Sequence, residues 1–370
     1  MYTYYTMIPF RLYHLYSLLN MMHSTPVGEA NRLASYFKCH RSLGSKDRQW
    51  ISSRIFAILR HQRLLETLLA REDRKVTPES LVSKVEEGAI ENLDSYQDLP
   101  WPIRYSLSDD LALQLIKDYG ETKAQEIAKW FLQEAPLFIR VNTRRISVED
   151  LQQCLGYPCE SGEVLGSLCF LKRYPLQHSL AFRQGLFEIQ DESSQKITLD
   201  IPMTKQDCVL DFCAGAGGKS LILAEKTQHV ILHDSRKNIL QEAKQRLLRA
   251  GLRNFSIKEK KSLKKQGFSL VVVDAPCSGS GVFRRHPEKK LLFSNQLLMQ
   301  YSHLQRKILK EASSYVQHGG RLVYITCSLL SLENEQHIDY MSSLGWEVEH
   351  STHIPPNQGD SFFSVHFIRK

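Results

Sequence analysis

From Cys208 onward the chain alternates short apolar runs with amphipathic ones, and this alternation limits the fold more than any other feature. Val209-Leu210 leads into Ser220 to Lys226, Val230-Ile231-Leu232 leads into Lys237 to Ala250, and Leu270-Val271-Val272-Val273 follows. Such a pattern predicts a parallel sheet covered by helices. Upstream, Leu137-Phe138-Ile139-Arg140-Val141-Asn142 has strand chemistry, and residues 137 to about 195 predict a small α+β subdomain.

Residues 1 to about 120 read as helical. Leu12 to Met22 predicts a core-facing helix, and Ile51, Ile55, Ile58 and Leu59 fall on one helical stripe. Lys75 to Asp98 is polar and acidic around Thr77-Pro78 and predicts a loose connection or short helices. Leu111 to Tyr119 and Lys123 to Glu134 predict two more helices, separated by Gly120 and closed by Pro136. The expected division is a helical domain over 1–120, a small α+β subdomain over 121–198 and a Rossmann-like α/β domain over 199–370.

With 42% hydrophobic and 24% charged residues, the chain is neither disordered nor fibrous. No apolar run approaches a membrane span, and Arg11 and His14 interrupt the apolar start, so the expected compartment is the cytoplasm. The eight cysteines form no Cys-x-x-Cys pair, so no metal is expected. Cys39, Cys154, Cys159, Cys169 and Cys208 read as structural. The net charge of +8 is concentrated: Arg236 to Lys265 alone carries a net +9. That asymmetry suggests a polyanion partner such as nucleic acid. Leu240, Ala243, Leu247 and Ala250 form an apolar stripe in this stretch, so part of its charge is simply the opposite helix face.

Three loops follow apolar strands. The first is Asp211-Phe212-Cys213-Ala214-Gly215-Ala216-Gly217-Gly218-Lys219-Ser220. It is not a phosphate-binding P-loop, because the position six before Lys219 is Cys213. It is not a full dinucleotide fingerprint, because Ser220 stands at the third glycine position. An S-adenosylmethionine loop remains, with Asp234 after the next strand as acceptor for the ribose hydroxyls. The second loop is Asp274-Ala275-Pro276-Cys277-Ser278-Gly279-Ser280-Gly281. The third is Thr326-Cys327-Ser328, followed by Glu333-Asn334-Glu335. Ends of parallel strands converge on one crevice, so the two thiols can face one substrate.

These loops resemble those of the RsmB/Sun-type (Nop/Sun) RNA 5-methylcytosine methyltransferases. The family loop is Asp-x-Cys-Ala-Ala-Pro-Gly-Gly-Lys-Thr, and its other marks are Asp-Ala-Pro-Cys-Ser-Gly-x-Gly and Thr-Cys-Ser followed by Glu-Asn-Glu. Pro136 to Thr143, Gln190 to Gln195, Arg284 to Glu288 and Gly359 to Phe363 also match. Residues 43–66 resemble a piece of the NusB-like helical domain of the bacterial branch. Gly215-Ala216 departs from the family's Ala-Pro, Phe268-Ser269 departs from Phe-Asp, and an adenine-contacting Asp after the third strand is missing, with Glu259 as its stand-in.

The resemblance implies a Rossmann-like methyltransferase domain that uses S-adenosylmethionine to methylate carbon 5 of cytosine in RNA, with ribosomal RNA expected. Transfer RNA is an alternative substrate, and a non-catalytic RNA-binding or ribosome-assembly factor is an alternative function. A monomer is expected. The cofactor set is Asp211, Cys213, Ala214, Gly215, Ala216, Gly217, Gly218, Lys219, Asp234 and Asp274, with Cys213 acting through its backbone. The resemblance makes Cys327 the nucleophile that adds to carbon 6 and gives release to Cys277. Asp274 would bind the cytosine edge at ring nitrogen 3 and the amino group. Lys219 would tune a thiol or contact the base, or would be merely an exposed helix start. Arg284 and Arg285 are the expected phosphate contacts.

Overall fold

The computed structural model describes residues 8–23 and 29–369 and divides into two units, 1–133 with 283–294, and 134–282 with 295–370. The first unit is helical. Its main helices are Phe10–His23, Glu29–Cys39, Ser45–Arg71, Pro78–Glu86, Asp109–Tyr119 and Glu121–Phe131. The expected stripe is its core: Ile51, Ile55, Ile58 and Leu59 are buried with Leu15, Leu18, Leu64 and Leu65. The acidic stretch from Lys75 contains a capped helix. Thr77 Oγ1 accepts from Ser80 N at 3.2 Å, Ser80 Oγ accepts from Thr77 N at 2.9 Å, and Pro78 occupies the first turn, where its missing N–H costs nothing.

The compact helical unit runs to residue 133, past the boundary expected at 120. Gly120 adopts φ +76° and lets the chain turn sharply between two helices that pack on each other, so both stay in the helical unit. The short segment 283–294 also joins this unit. Lys290, fully buried, donates from Nζ to the carbonyls of Arg60 at 2.9 Å and Tyr105 at 3.3 Å.

The second unit holds two sheets. The small one contains β1 (Leu137–Val141), β2 (Glu160–Ser161), β3 (Ser167–Phe170) and β4 (Phe187–Ile189) in the order β2-β3-β1-β4, all antiparallel. The large one contains β5 (Cys208–Asp211), β6 (His229–Leu232), β7 (Phe255–Ile257), β8 (Phe268–Asp274), β9 (Val316–Thr326), β10 (Glu347–Ile354) and β11 (Phe362–Ile368). Its order is β10-β11-β9-β8-β5-β6-β7. The five strands from β7 to β9 are parallel, and β11 and β10 are antiparallel additions.

Side-chain alternation explains why the sheet is covered on both faces. Leu270 and Val272 of β8 enter one core with Val209, Leu232 and Val323, while Val271 and Val273 enter the other with Leu210, Ile231 and Tyr324. The basic helix Lys237–Arg249 packs through Leu240, Ala243 and Leu247, as its stripe predicts. Strand order runs outward from β5 to β7 on one side and from β8 to β9 on the other. This reversal opens a crevice at the carboxyl ends of β5 and β8. No helix among the described residues is long and apolar enough to cross a membrane.

Candidate active site

The loop after β5 is shaped by two left-handed glycines, Gly215 at φ +51° and Gly217 at φ +80°. A Cβ on Gly217 would lie 2.9 Å from Ala243 Cβ, so this glycine also admits the basic helix. Ala214 N–H donates to His233 O and Gly217 N–H to Ala214 O, both at 2.9 Å. Among the described residues no acceptor in the chain meets the N–H groups of Ala216, Gly218 and Lys219. The last two open the helix Gly218–Lys226, an end that favours a negatively charged group.

Asp211, expected among the cofactor contacts, lies buried at the start of this loop. It is 1% exposed and accepts from Ser220 Oγ at 2.6 Å, bracing strand against helix. Burial raises its carboxyl to about 7 against the opposing Ser220 bond. Burial also pushes the Cys213 thiol up, keeping it inert.

Asp234 follows β6, and Gly215 N–H donates to its Oδ2 at 2.9 Å. The same carboxylate accepts from Arg236 N–H at 2.9 Å and from Arg236 Nε and Nη2, each at 3.0 Å. Burial opposes its charge, but the Arg236 and Gly215 bonds outweigh burial and hold it below the usual carboxylate range. The expected ribose acceptor is therefore already engaged by a guanidinium. Glu259 is half exposed and paired with Lys237 at 2.7 Å and Lys261 at 3.4 Å.

Lys219 is no exposed helix start. Its side chain is 8% exposed, and Nζ lies 2.7 Å from Asp274 Oδ2 and 4.9 Å from the Phe362 ring centroid. Asp274 ends β8, and Thr326 ends the adjacent β9, so the loops after them emerge side by side. Cys277 Sγ and Cys327 Sγ stand 3.4 Å apart. The hydrogen bond to Cys327 and then burial push the Cys277 thiol well above its ordinary value.

The parts that fix this pair were not singled out from the sequence as site residues. Glu333, fully buried, accepts from Ser278 N–H at 2.8 Å, from Ser278 Oγ and Ser328 Oγ at 2.5 Å, and from Gln305 Nε2 at 3.0 Å. It ties together the residues that directly follow the two cysteines. Burial pushes its carboxyl up while the serine bonds oppose that. Asn334 donates to Ser328 O at 2.9 Å and accepts from Thr326 Oγ1 at 2.6 Å. Gln305 also donates to Pro276 O at 3.0 Å and faces His337 Nε2 at 2.8 Å. The Glu-Asn-Glu motif was the available signal, since a buried carboxylate demands several donors.

Arg284 and Arg285 lie in the helical unit. Arg284 is 2% exposed, with its guanidinium 4.2 Å from the Trp130 ring centroid. This residue, expected as a phosphate contact, is a packed interior cation. Arg285 is half-buried.

Sheet order, glycine loop and strand-end acids together define a Rossmann-like methyltransferase domain joined to a small antiparallel sheet. Residues 197–361 match the model of the 16S rRNA methyltransferase RsmB/F family, and residues 111–157 match the ferredoxin-like domain of the RsmF/B-like methyltransferases. Over these two segments the chain is similar to the RsmB/F methyltransferases. It is 31% identical over 247 residues to the ribosomal RNA small subunit methyltransferase B of Proteus mirabilis, an alignment covering 62% of this chain and 58% of that one. The chain spans about three-fifths of the length of the first curated relatives it matches, 60% and 58%.

Among solved structures, the crystal structure of PH0851 superposes with a TM-score of 0.80 at 20% identity, covering 97% of this chain and 98% of that one. NSun6 from Pyrococcus horikoshii, solved with SFG, superposes with a TM-score of 0.64 at 19% identity, covering 70% and 98%. Both likenesses concern the fold.

Proposed function

We propose that the chain is an S-adenosylmethionine-dependent RNA cytosine-5 methyltransferase acting on ribosomal RNA as a monomer in the cytoplasm. The observation that carries this reading is the pair of thiols 3.4 Å apart beside the Lys219–Asp274 ion pair. Relatives named as small-subunit ribosomal RNA methyltransferases support the substrate class. The SFG held by a protein of like fold, an S-adenosylmethionine analogue, supports the cofactor.

The residues present fit that cofactor. Unpaired loop N–H groups suit its carboxylate, and Asp234 suits its ribose. When bound it supplies an electrophilic methyl group. Cys327 Sγ stands 3.4 Å from Cys277 Sγ, and as a thiolate, its proton given to solvent, it forms the bond to carbon 6 of cytosine. The electron pair displaced from the ring double bond then resides on carbon 5. Asp274 accepts from the cytosine amino group, and Lys219 balances the Asp274 charge. After methylation Cys277, having given its own proton to solvent, takes the proton from carbon 5, and the Cys327–carbon bond breaks with its electron pair returning to sulfur. The cytosine must be unpaired or flipped to expose carbon 6.

The test is bisulfite sequencing of ribosomal RNA from cells with and without the gene. One cytosine protected only in the presence of the gene is the expected result, and no gene-dependent protection overturns the reading. The engagement of Asp234 by Arg236 favours a second reading, a non-catalytic RNA-binding factor on this fold. Calorimetry with S-adenosylmethionine separates the two, since that factor would show no binding heat.

A further inference from the structure

The glycine loop lacks a rigid residue between its two left-handed glycines, since Ala216 stands there. Glycines leave such a loop many alternative shapes. A side chain from another element limits them. Arg246, on the helix Lys237–Arg249, donates from Nη1 to Ala216 O at 3.0 Å. Its side chain is 17% exposed, and its Nε meets Glu188 Oε2 of β4 at 3.2 Å. A Cβ on Gly218 would stand 3.9 Å from the same Nη1, so the guanidinium lies directly against the loop.

The chemistry of a peptide explains why one such bond matters. The unit is planar, so fixing the carbonyl of Ala216 fixes the following N–H, that of Gly217. That N–H closes the turn onto Ala214 O. Two residues on, Gly218 O accepts from Gln190 Nε2 at 3.2 Å, which fixes the N–H of Lys219. Glu188 on β4 and Gln190 just beyond its end thus both reach the loop, the first through Arg246. Arg249 supplies an internal comparison. It pairs with the same Glu188 carboxylate and lies 4.1 Å over the Phe182 ring, but no bond from its side chain reaches the loop.

We infer that Arg246, held by Glu188, is a positioning residue that fixes the glycine loop in its cofactor-binding shape, so that the small sheet sets affinity for S-adenosylmethionine. This rests on the methyltransferase reading above. The burial of Glu188 supports it: a carboxylate only 4% exposed holds its arginine partners firmly, because losing them would leave a buried charge uncompensated.

The experiment compares Arg246→Met, Arg246→Lys and Arg249→Met with the unaltered full chain. Thermal melts first establish that each variant folds. Calorimetry with S-adenosylmethionine is expected to show a 5- to 20-fold higher Kd for Arg246→Met, partial recovery for Arg246→Lys and no change for Arg249→Met. At saturating cofactor, kcat for Arg246→Met stays within twofold while the cofactor KM rises. Hydrogen exchange without cofactor is expected to show faster exchange over residues 214–219 in Arg246→Met alone. Equal Kd values for Arg246→Met and the unaltered chain overturn the inference, and so does equal weakening in Arg246→Met and Arg249→Met. If the unaltered chain binds no S-adenosylmethionine, the methyltransferase reading fails, and hydrogen exchange still decides whether Arg246 positions the loop.

Discussion

Cys277 Sγ and Cys327 Sγ stand 3.4 Å apart although fifty residues separate them in sequence. Adjacent strands β8 and β9 run parallel, so the loops that follow them leave the sheet at the same edge. The hydrogen bond to Cys327 and burial raise the Cys277 thiol well above its ordinary value, which makes the two sulfurs chemically unequal.

That inequality predicts different outcomes for the two alanine variants. Cys327→Ala should abolish methyl transfer, because no sulfur remains to add to carbon 6. Cys277→Ala should permit addition and transfer but block release, trapping the protein on methylated RNA. A denaturing gel after incubation with RNA and S-adenosylmethionine checks this. A slow-migrating adduct is expected with Cys277→Ala only. The mirror pattern would exchange the roles.

Glu333→Gln should slow methyl transfer without changing cofactor affinity. The amide would offer one acceptor and one donor group where the carboxylate meets donors from Ser278, Ser328 and Gln305. Losing part of that clamp costs roughly 1–3 kcal/mol. If that loss falls on the placement of the two cysteines, kcat drops about 5- to 150-fold. Single-turnover rates, alongside calorimetry with S-adenosylmethionine, separate this from a general loss of folding.

Much of this site was legible in the sequence because its chemistry sits at strand ends. The run Leu270 to Val273 announces a buried strand, and Asp274 and Cys277 follow at once. The pairing of Lys219 with Asp274 was not legible. It joins two loops 55 residues apart, and a lysine at a helix start is usually solvated. The burial of Arg284 was not legible for a related reason. An arginine beside a catalytic motif suggests phosphate, and only packing against Trp130 shows it to be interior. The tight turn at Gly120 was not legible either, because a glycine between two helical patterns marks such a turn as readily as a linker.

Asp234→Ala should weaken S-adenosylmethionine binding by roughly 1–3 kcal/mol, about 5- to 150-fold in Kd. The variant removes the ribose acceptor and also releases Gly215 N–H, which now bonds to Oδ2. It frees the Arg236 guanidinium as well, adding uncompensated positive charge at the crevice. The fold should survive, since this residue lies at a strand end and not in the sheet core. Calorimetry gives the affinity, and an unchanged Kd would remove Asp234 from the cofactor site.

Lys290 predicts how the stability of the helical unit depends on pH. Burial, and then the nearby Arg60 charge, lower its ammonium group from 10.5 to about 7. Its pKa is depressed on folding, so between about pH 7 and 10.5 the unfolded chain binds the extra proton. Stability must then rise with pH across that window and level off below pH 7, where both states carry the proton. Lys290→Met removes this contribution. It also leaves the carbonyls of Arg60 and Tyr105 without these donors, which lowers stability at every pH. The gap between the two proteins should therefore widen as pH rises from 7 to 9. Urea unfolding of both at pH 6, 7, 8 and 9, followed by circular dichroism at the helical band, measures it. A gap that stays constant over this range would mean that Lys290 keeps its proton in the folded protein, held by the two carbonyls strongly enough to offset burial.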